Sequence, residues 1–195
     1  MIDPAQVAFV PNRWINENVV LAIVHTSKHT GKKKGYLGIK LDFQKAYDRM
    51  EWSFLIAVLK AFGFSSNFTK LIHQCLSSIE FTLLLNGGQC PSFFPSRGLR
   101  QGNPLSPYLF ILGSEVLLRL LNRKVSQKRL LVVKVSNTAP PISKLCYADD
   151  IILFCKAKFA KISILKSYLE KFCSWSGQLI SVKKSSYFPS KGVSS

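Results

Sequence analysis

Leu145-Cys146-Tyr147-Ala148-Asp149-Asp150-Ile151-Ile152-Leu153-Phe154 sets two adjacent carboxylates between two apolar runs. Each run reads as a strand, with the acids at the join between them. An ionised carboxylate taken out of water is costly unless solvent or a cation compensates it. Asp is also common in turns for conformational reasons alone. On this segment by itself both readings stand, a pair of turn residues and a pair that binds a cation.

Upstream, Tyr36-Leu37-Gly38-Ile39-Lys40-Leu41-Asp42 alternates, with Leu37, Ile39 and Leu41 on one face and Gly38, Lys40 and Asp42 on the other. This predicts a half-buried strand whose polar face ends in a carboxylate. If it neighbours the strands around Asp149, three acids gather at one point and repel each other unless divalent cations neutralise them. Mg²⁺ accepts hard oxygen ligands completed by water and phosphate. Two such ions about 3.5–4 Å apart clamp the attacking and leaving oxygens of an in-line phosphoryl displacement.

The remaining pattern is mixed. Helical spacing covers Asn16 to Thr30, a run capped by Ser53 and closed by Gly63, a second run from Phe68 to Ile79, about Tyr108 to Arg123, and about Ala160 to Trp175 before Gly177. Phe81 to Leu85 enters Asn86-Gly87, a strong hairpin signal, and returns through Gln89 to Phe94. A strand is expected at Leu131 to Val135, a break at Pro140-Pro141, and a short strand pair near Leu179 and Tyr187. This order predicts an α+β fold, a mostly antiparallel sheet with helices on one face.

Composition limits what such a fold serves. The 195 residues are 47% hydrophobic, enough for one domain with a real core and too apolar for disorder. There are 27 Lys and Arg against 10 Asp and Glu, a net charge of +17, so a polyanion is the expected partner, nucleic acid before an anionic membrane surface. Five of the ten acids, Asp42, Asp48, Glu51, Asp149 and Asp150, fall in two short segments. The five cysteines form no C-x-x-C pair and read as reduced core thiols of an intracellular protein, nuclear or cytoplasmic, with no targeting signal legible. No apolar run approaches the roughly 18 residues of a membrane span.

Three further segments complete a pattern. Leu41-Asp42-Phe43-Gln44-Lys45-Ala46-Tyr47-Asp48-Arg49-Met50-Glu51-Trp52, Arg97-Gly98-Leu99-Arg100-Gln101-Gly102-Asn103-Pro104-Leu105-Ser106-Pro107 and Tyr147-Ala148-Asp149-Asp150 resemble, in order and spacing, the motifs of reverse transcriptases. The match is nearest to the non-LTR, LINE-type retrotransposon polymerases of plants. Gln6 to Arg13 and Ser176 to Ser185 resemble the flanking segments, so the resemblance runs from Gln6 to about Ser186.

The resemblance implies a polymerase palm with partial fingers over 1–190 and a flexible tail at 191–195, the full fingers, thumb and endonuclease lying outside the chain. The activity it implies is RNA-directed DNA synthesis from dNTPs on an RNA template and DNA primer, with two Mg²⁺ ions, or Mn²⁺ in their place. Asp42 and Asp149 then match metal ligands, with Asp150 an accessory one. Phe43, Tyr47, Gln101 and Gly102 match nucleotide-binding positions, Tyr47 being the steric gate against a ribose 2′-OH. The plain alternative for Tyr47 is a core tyrosine, and for Gln101-Gly102 a loop before a Pro-initiated helix. Lys184 matches the lysine that neutralises departing pyrophosphate, with a solvated surface role as its alternative. Arg97 and Arg100 suit phosphate, since guanidinium makes bidentate contacts, while Arg13 reads equally as a nucleic-acid contact or a structural residue.

Asn103, Lys144 and Ser181 depart from the usual pattern, and none of them removes a metal ligand. The rival function is a catalytically inactive nucleic-acid-binding remnant. A purely structural role fits the net charge poorly.

Overall fold

The alternation over 36–42 forms β1 (Tyr36–Leu41), one of the two inner strands of a four-stranded sheet. The structure is a computed structural model that describes residues 1–16, 18–20, 22, 35–127, 133–134 and 141–190. β1 pairs antiparallel with β7 (Asp150–Lys156) on one side and with β8 (Ser186–Pro189) on the other. β6 (Lys144–Tyr147) pairs antiparallel with β7, giving the order β6-β7-β1-β8. A two-residue connection, Ala148-Asp149, joins β6 to β7.

The sheet buries one face against helices. Leu41, Ile151, Leu153 and Cys155 enter a core with α2 (Trp52–Ala61), α3 (Ser66–Ser77), α4 (Ser106–Ser126) and α5 (Phe159–Ser176). Met50, Leu55, Leu59, Leu117, Leu118 and Phe172 fill its centre. A short helix, α1 (Ala46–Arg49), follows β1 directly. On the opposite face Leu145 and Phe154 pack with Ile152, Ile142 and Ala22. The α+β expectation holds, with the helical layer on one face of an antiparallel sheet.

Several local expectations change. Of the helix expected over 16–30, residues 16, 18–20 and 22 are helical, and the rest lies outside the described residues, as does the tail at 191–195. Ser53 is not a cap, because α2 begins one residue earlier, at Trp52. The Trp52 indole donates to the Gly98 carbonyl at 2.6 Å, which anchors that first residue. Leu179 and Tyr187 do not form a strand pair: Ile180 bridges Phe43, and β8 takes the outer edge of β1. Pro141 lies within a two-residue strand, β5 (Pro141–Ile142), against β4 (Val133–Lys134). A proline is tolerated on so short a ribbon, which needs ladder bonds on one side only.

The Asn86-Gly87 hairpin is present, both residues having positive φ. Its strands, β2 (Leu84–Leu85) and β3 (Gly88–Gln89), stand apart from the main sheet.

The N-terminal residues are fastened to the fold by buried charge. Lys144 Nζ lies 3.0 Å from Asp3 Oδ2, both side chains being 4% exposed. Asn122 donates to the same carboxylate oxygen at 2.6 Å and accepts from Lys144. The Asp3 amide donates to Glu115 on α4 at 2.9 Å. Burial pushes the Asp3 carboxyl up, but the Ala5 amide, Lys144 and Asn122 outweigh it and leave it below the usual range. Removing one member of such a pair strands the other charge. Lys144→Met should therefore cost about 3–5 kcal/mol in urea unfolding. Adding Asp3→Asn should return part of that loss, whereas a Lys144→Met variant as stable as the parent would show the pair to be incidental.

Candidate active site

Register decides where the acids meet. Leu41 stands opposite Ile151, so Asp42, the next residue, emerges beside the Ala148-Asp149 turn and the first residue of β7. The proximity is visible electrostatically. Desolvation pushes the Asp149 carboxyl above the usual range, and the charges of Asp150 and Asp42 push it further.

Asp42 is held by both of its peptide groups. Its amide donates to Ser185 Oγ at 3.1 Å, and its carbonyl accepts from the Ser181 amide at 2.8 Å. The segment 181–185 is itself closed by Ser185 donating to the Ser181 carbonyl at 2.8 Å. That loop carries Lys184, exposed, whose amide donates to Ser181 Oγ. The loop with the expected lysine is thus docked on the expected ligand. In the sequence Ser181 stands out only as a departure from the usual pattern and Ser185 only as the end of a flanking segment. Neither signals this role there, since a lone Ser carries no signal until its partner is known.

The turn is strained. Ala148 has φ +53°, a left-handed conformation that alanine adopts at a cost. It is nonetheless buried, and the Gln6 side chain bonds both its amide and its carbonyl.

Tyr47 on α1 stacks flat on Phe110 of α4, 4.8 Å between ring centres and 7° from parallel. Burial raises its phenol pKa, and the Asp149 charge raises it further. Tyr47 is therefore fixed within electrostatic reach of Asp149. Its backbone is fixed as well, since the Leu99 amide donates to the Tyr47 carbonyl at 2.8 Å and the Gly98 amide to Met50 at 2.9 Å. Gly98 is required there: it has φ +95°, and a Cβ would lie 2.8 Å from the Asp48 carbonyl oxygen. The loop at 97–102 thus rests on α1, and its outer side lines a cavity of about 500 Å³ with Asp48, Trp52, Arg97, Arg100 and Gln101. Gly102 has φ +83°, and among the described residues nothing lies within 4 Å of where a Cβ would stand.

Other expected residues do not join the cluster. Phe43 is a correction: its ring is 7% exposed and meets Phe172 edge-on, because it falls on the core face of the extended β1 segment. Its side chain serves the core and does not face a nucleotide. Arg13 donates to the carbonyls of Ile2, Asp3 and Gln6, the structural one of its two readings. Arg97 pairs with Glu51 at 3.2 Å, and both are solvated enough for that pair to exchange for phosphate at little cost. Asp150 points along the open face toward Lys40, 3.7 Å away. The expected trio of converging acids is therefore not one cluster, and among the described residues no three His, Cys, Asp or Glu side chains are grouped to hold a metal ion. Alternation along β7 turns Asp150 toward Lys40. The donor chemistry still fits Mg²⁺, which is held through one or two carboxylates together with substrate phosphates and water.

A four-stranded antiparallel sheet backed by helices, with carboxylates at adjoining strand ends, defines a polymerase palm-type fold. The telomerase of Candida tropicalis, solved with a fragment of telomeric RNA, shares that fold at a TM-score of 0.70 and 14% identity, over 98% of this chain and 31% of that one. A family model described as reverse transcriptase (RNA-dependent DNA polymerase) matches residues 1–194, and the chain belongs to that family. It is 34% identical over 155 residues to a 149 kDa protein of transposon TX1 from Xenopus laevis, covering 78% of this chain and 11% of the relative. It is 29% identical over 171 residues to the Pol polyprotein of retrotransposable element R2DM from Drosophila melanogaster, covering 86% of this chain and 15% of the relative. The chain thus spans a small part of both of these relatives, a transposon protein and a retrotransposable-element polyprotein. The family generally uses divalent metals.

The position of Tyr47 has a direct check. In a titration followed by NMR of ring-labelled tyrosine, Tyr47 should deprotonate above the ordinary value of 10.0. Asp149→Asn should bring its pKa part of the way down, since burial is the larger cause. No response to Asp149→Asn would separate the two side chains.

Proposed function

We propose that this chain is the palm of an RNA-directed DNA polymerase, joining a primer 3′-hydroxyl to the α-phosphate of a dNTP on an RNA template. The observation that carries this reading is the meeting of Asp42, at the end of β1, with the Asp149 turn. It is supported by the family and by a net charge of +17 around a focus of acid, which draws a polyanion and leaves the negative site to the cation that accompanies it.

Asp42 and Asp149 are the residues that would hold the divalent ions, Mg²⁺ or Mn²⁺, with Asp150 accessory and partly neutralised by Lys40. Bound there, such ions supply Lewis-acid activation of the primer hydroxyl and charge stabilisation for pyrophosphate. The protein's own contribution is placement. The Ser181–Ser185 loop fixes Asp42, and the stack on Phe110 fixes Tyr47, whose ring excludes a ribose 2′-OH. Gln101 and the open side of Gly102 receive the nucleotide and template, while Arg97 and Arg100 meet phosphate. Lys184, brought beside Asp42 by its loop, neutralises the leaving pyrophosphate. The template–primer duplex is held by backbone and shape, so binding should weaken steeply with salt.

The test is incorporation of labelled dNTPs on an RNA template with a DNA primer and Mg²⁺. Extension is expected from the parent, with a loss of at least about a thousandfold in Asp42→Asn and Asp149→Ala. Tyr47→Ala should retain extension and admit ribonucleotides. A folded parent that binds template and never extends the primer would leave an inactive nucleic-acid-binding remnant instead.

A further inference from the structure

Gln6 is 1% exposed, 142 residues before the turn it touches, and its side-chain amide is occupied on both sides. Its Oε1 accepts from the Ala148 amide and from the Ala8 amide, each at 3.0 Å, and its Nε2 donates to the Ala148 carbonyl at 3.4 Å. One side chain thus holds the two peptide groups of the residue that precedes Asp149. A buried amide so paired is costly to disrupt, because removing it leaves backbone groups unsatisfied.

Ala148 needs holding. It is the first of the two residues that join β6 to β7, and it has φ +53°. Positive φ at that position of a tight hairpin is where glycine is favoured, and alanine there costs about 1–2 kcal/mol. Such strain persists only where surrounding contacts over-determine it.

Gln6 is itself fixed. Its amide donates to the Asp3 carbonyl at 3.1 Å, and its carbonyl accepts from Arg13 at 2.6 Å. Its neighbours hold the end of β6, Val7 donating to the Cys146 carbonyl and Cys146 to the Ala5 carbonyl. Asn18 donates to both of those carbonyls, to Ala5 at 3.2 Å and to Cys146 at 3.0 Å. Asp3, three residues away, lies in the buried charge pair with Lys144.

From these contacts we infer that Gln6 is a positioning residue for the active turn: it locks Ala148 in the left-handed conformation that presents Asp149 beside Asp42. The role rests on the polymerase reading, but the lock itself is testable without activity.

Amide exchange at Ala148, measured by NMR, reads the lock directly. Gln6→Met keeps the volume and loses the bonds, whereas Gln6→Glu keeps an acceptor for the Ala148 amide. Exchange at Ala148 should quicken at least tenfold in Gln6→Met and stay nearer the parent in Gln6→Glu, with β1 and α4 amides protected in both. A role in packing alone predicts the reverse order, since a carboxylate buried at this site is costlier to desolvate than a thioether of similar volume. Mn²⁺ affinity, followed by electron spin resonance, should fall in Gln6→Met and recover when Ala148→Gly is added, because glycine takes positive φ without being held. In the incorporation assay the same pair should show kcat falling by about ten- to a hundredfold and then recovering, with KM for template–primer little changed. Unchanged exchange at Ala148 in Gln6→Met, or a Mn²⁺ loss of equal size with Gly at 148, would overturn the assignment. A parent that extends no primer would overturn the polymerase reading alone, and the exchange and Mn²⁺ results would still decide the role of Gln6.

Discussion

Antiparallel pairing of β1 with β7 in a single register, Tyr36 opposite Lys156 through Leu41 opposite Ile151, is the constraint on which the site depends. Side chains alternate along both strands, so a slip of one residue would carry Leu37, Ile39 and Leu41 out of the core and turn Asp42 into it. The helical layer makes that slip expensive, because Leu41, Ile151, Leu153 and Cys155 are all nearly inaccessible to solvent. Burial of one face therefore fixes the position of the acid at the strand's end. The chemistry on the open side is held in place by apolar contacts on the other.

The charge distribution acts on a longer scale. In a chain of net charge +17, the meeting of Asp42 with the Asp149 turn means that the long-range field attracts phosphate while the immediate site repels it. Burial first, and then the charges of Asp150 and Asp42, hold the Asp149 carboxyl above its usual range. Asp150 turns instead toward Lys40, 3.7 Å away, which divides two sequence neighbours between two surroundings. Bridging a carboxylate to a phosphate requires a cation, and divalent metal use by the family is consistent with that requirement.

What the sequence revealed and what it concealed separate along one physical line. The alternation of β1, the Asn86-Gly87 hairpin and the end of α5 at Gly177 are local, set by side-chain period and backbone freedom within a few residues, and each was legible. The pairing of β8 with β1 was not, because which free edge a short exposed strand joins is decided by distant residues. Phe43 was assigned to the nucleotide on motif likeness, yet strand alternation alone places it opposite Asp42 and inside the core. Ser181, Ser185 and Gln6 were hidden for a related reason: each acts through a main-chain group far away in sequence. A side chain that bonds backbone leaves no pattern in its neighbours.

These concealed contacts explain why the site cannot be reduced to its motifs. Asp42 and Asp149 stand 107 positions apart in sequence numbering, and what steadies each of them comes from further away still, from the loop at 181–185 and from the segment at Asp3 to Ala8. The second of these is anchored beside the turn by backbone bonds to Cys146 and by Asp3, sunk beside Lys144, a residue of the same strand that leads into Ala148. Tension in the turn is thus opposed by a charge pair at the base of the strand that feeds it. Both fastenings converge on β6, so a change that loosens the Asp3–Lys144 pair also removes the footing from which Gln6 holds Ala148. The departure at Lys144 from the usual motif pattern then ceases to be a local oddity: it is the buried cation that helps keep the N-terminal segment, and through it the turn at Ala148-Asp149, in place.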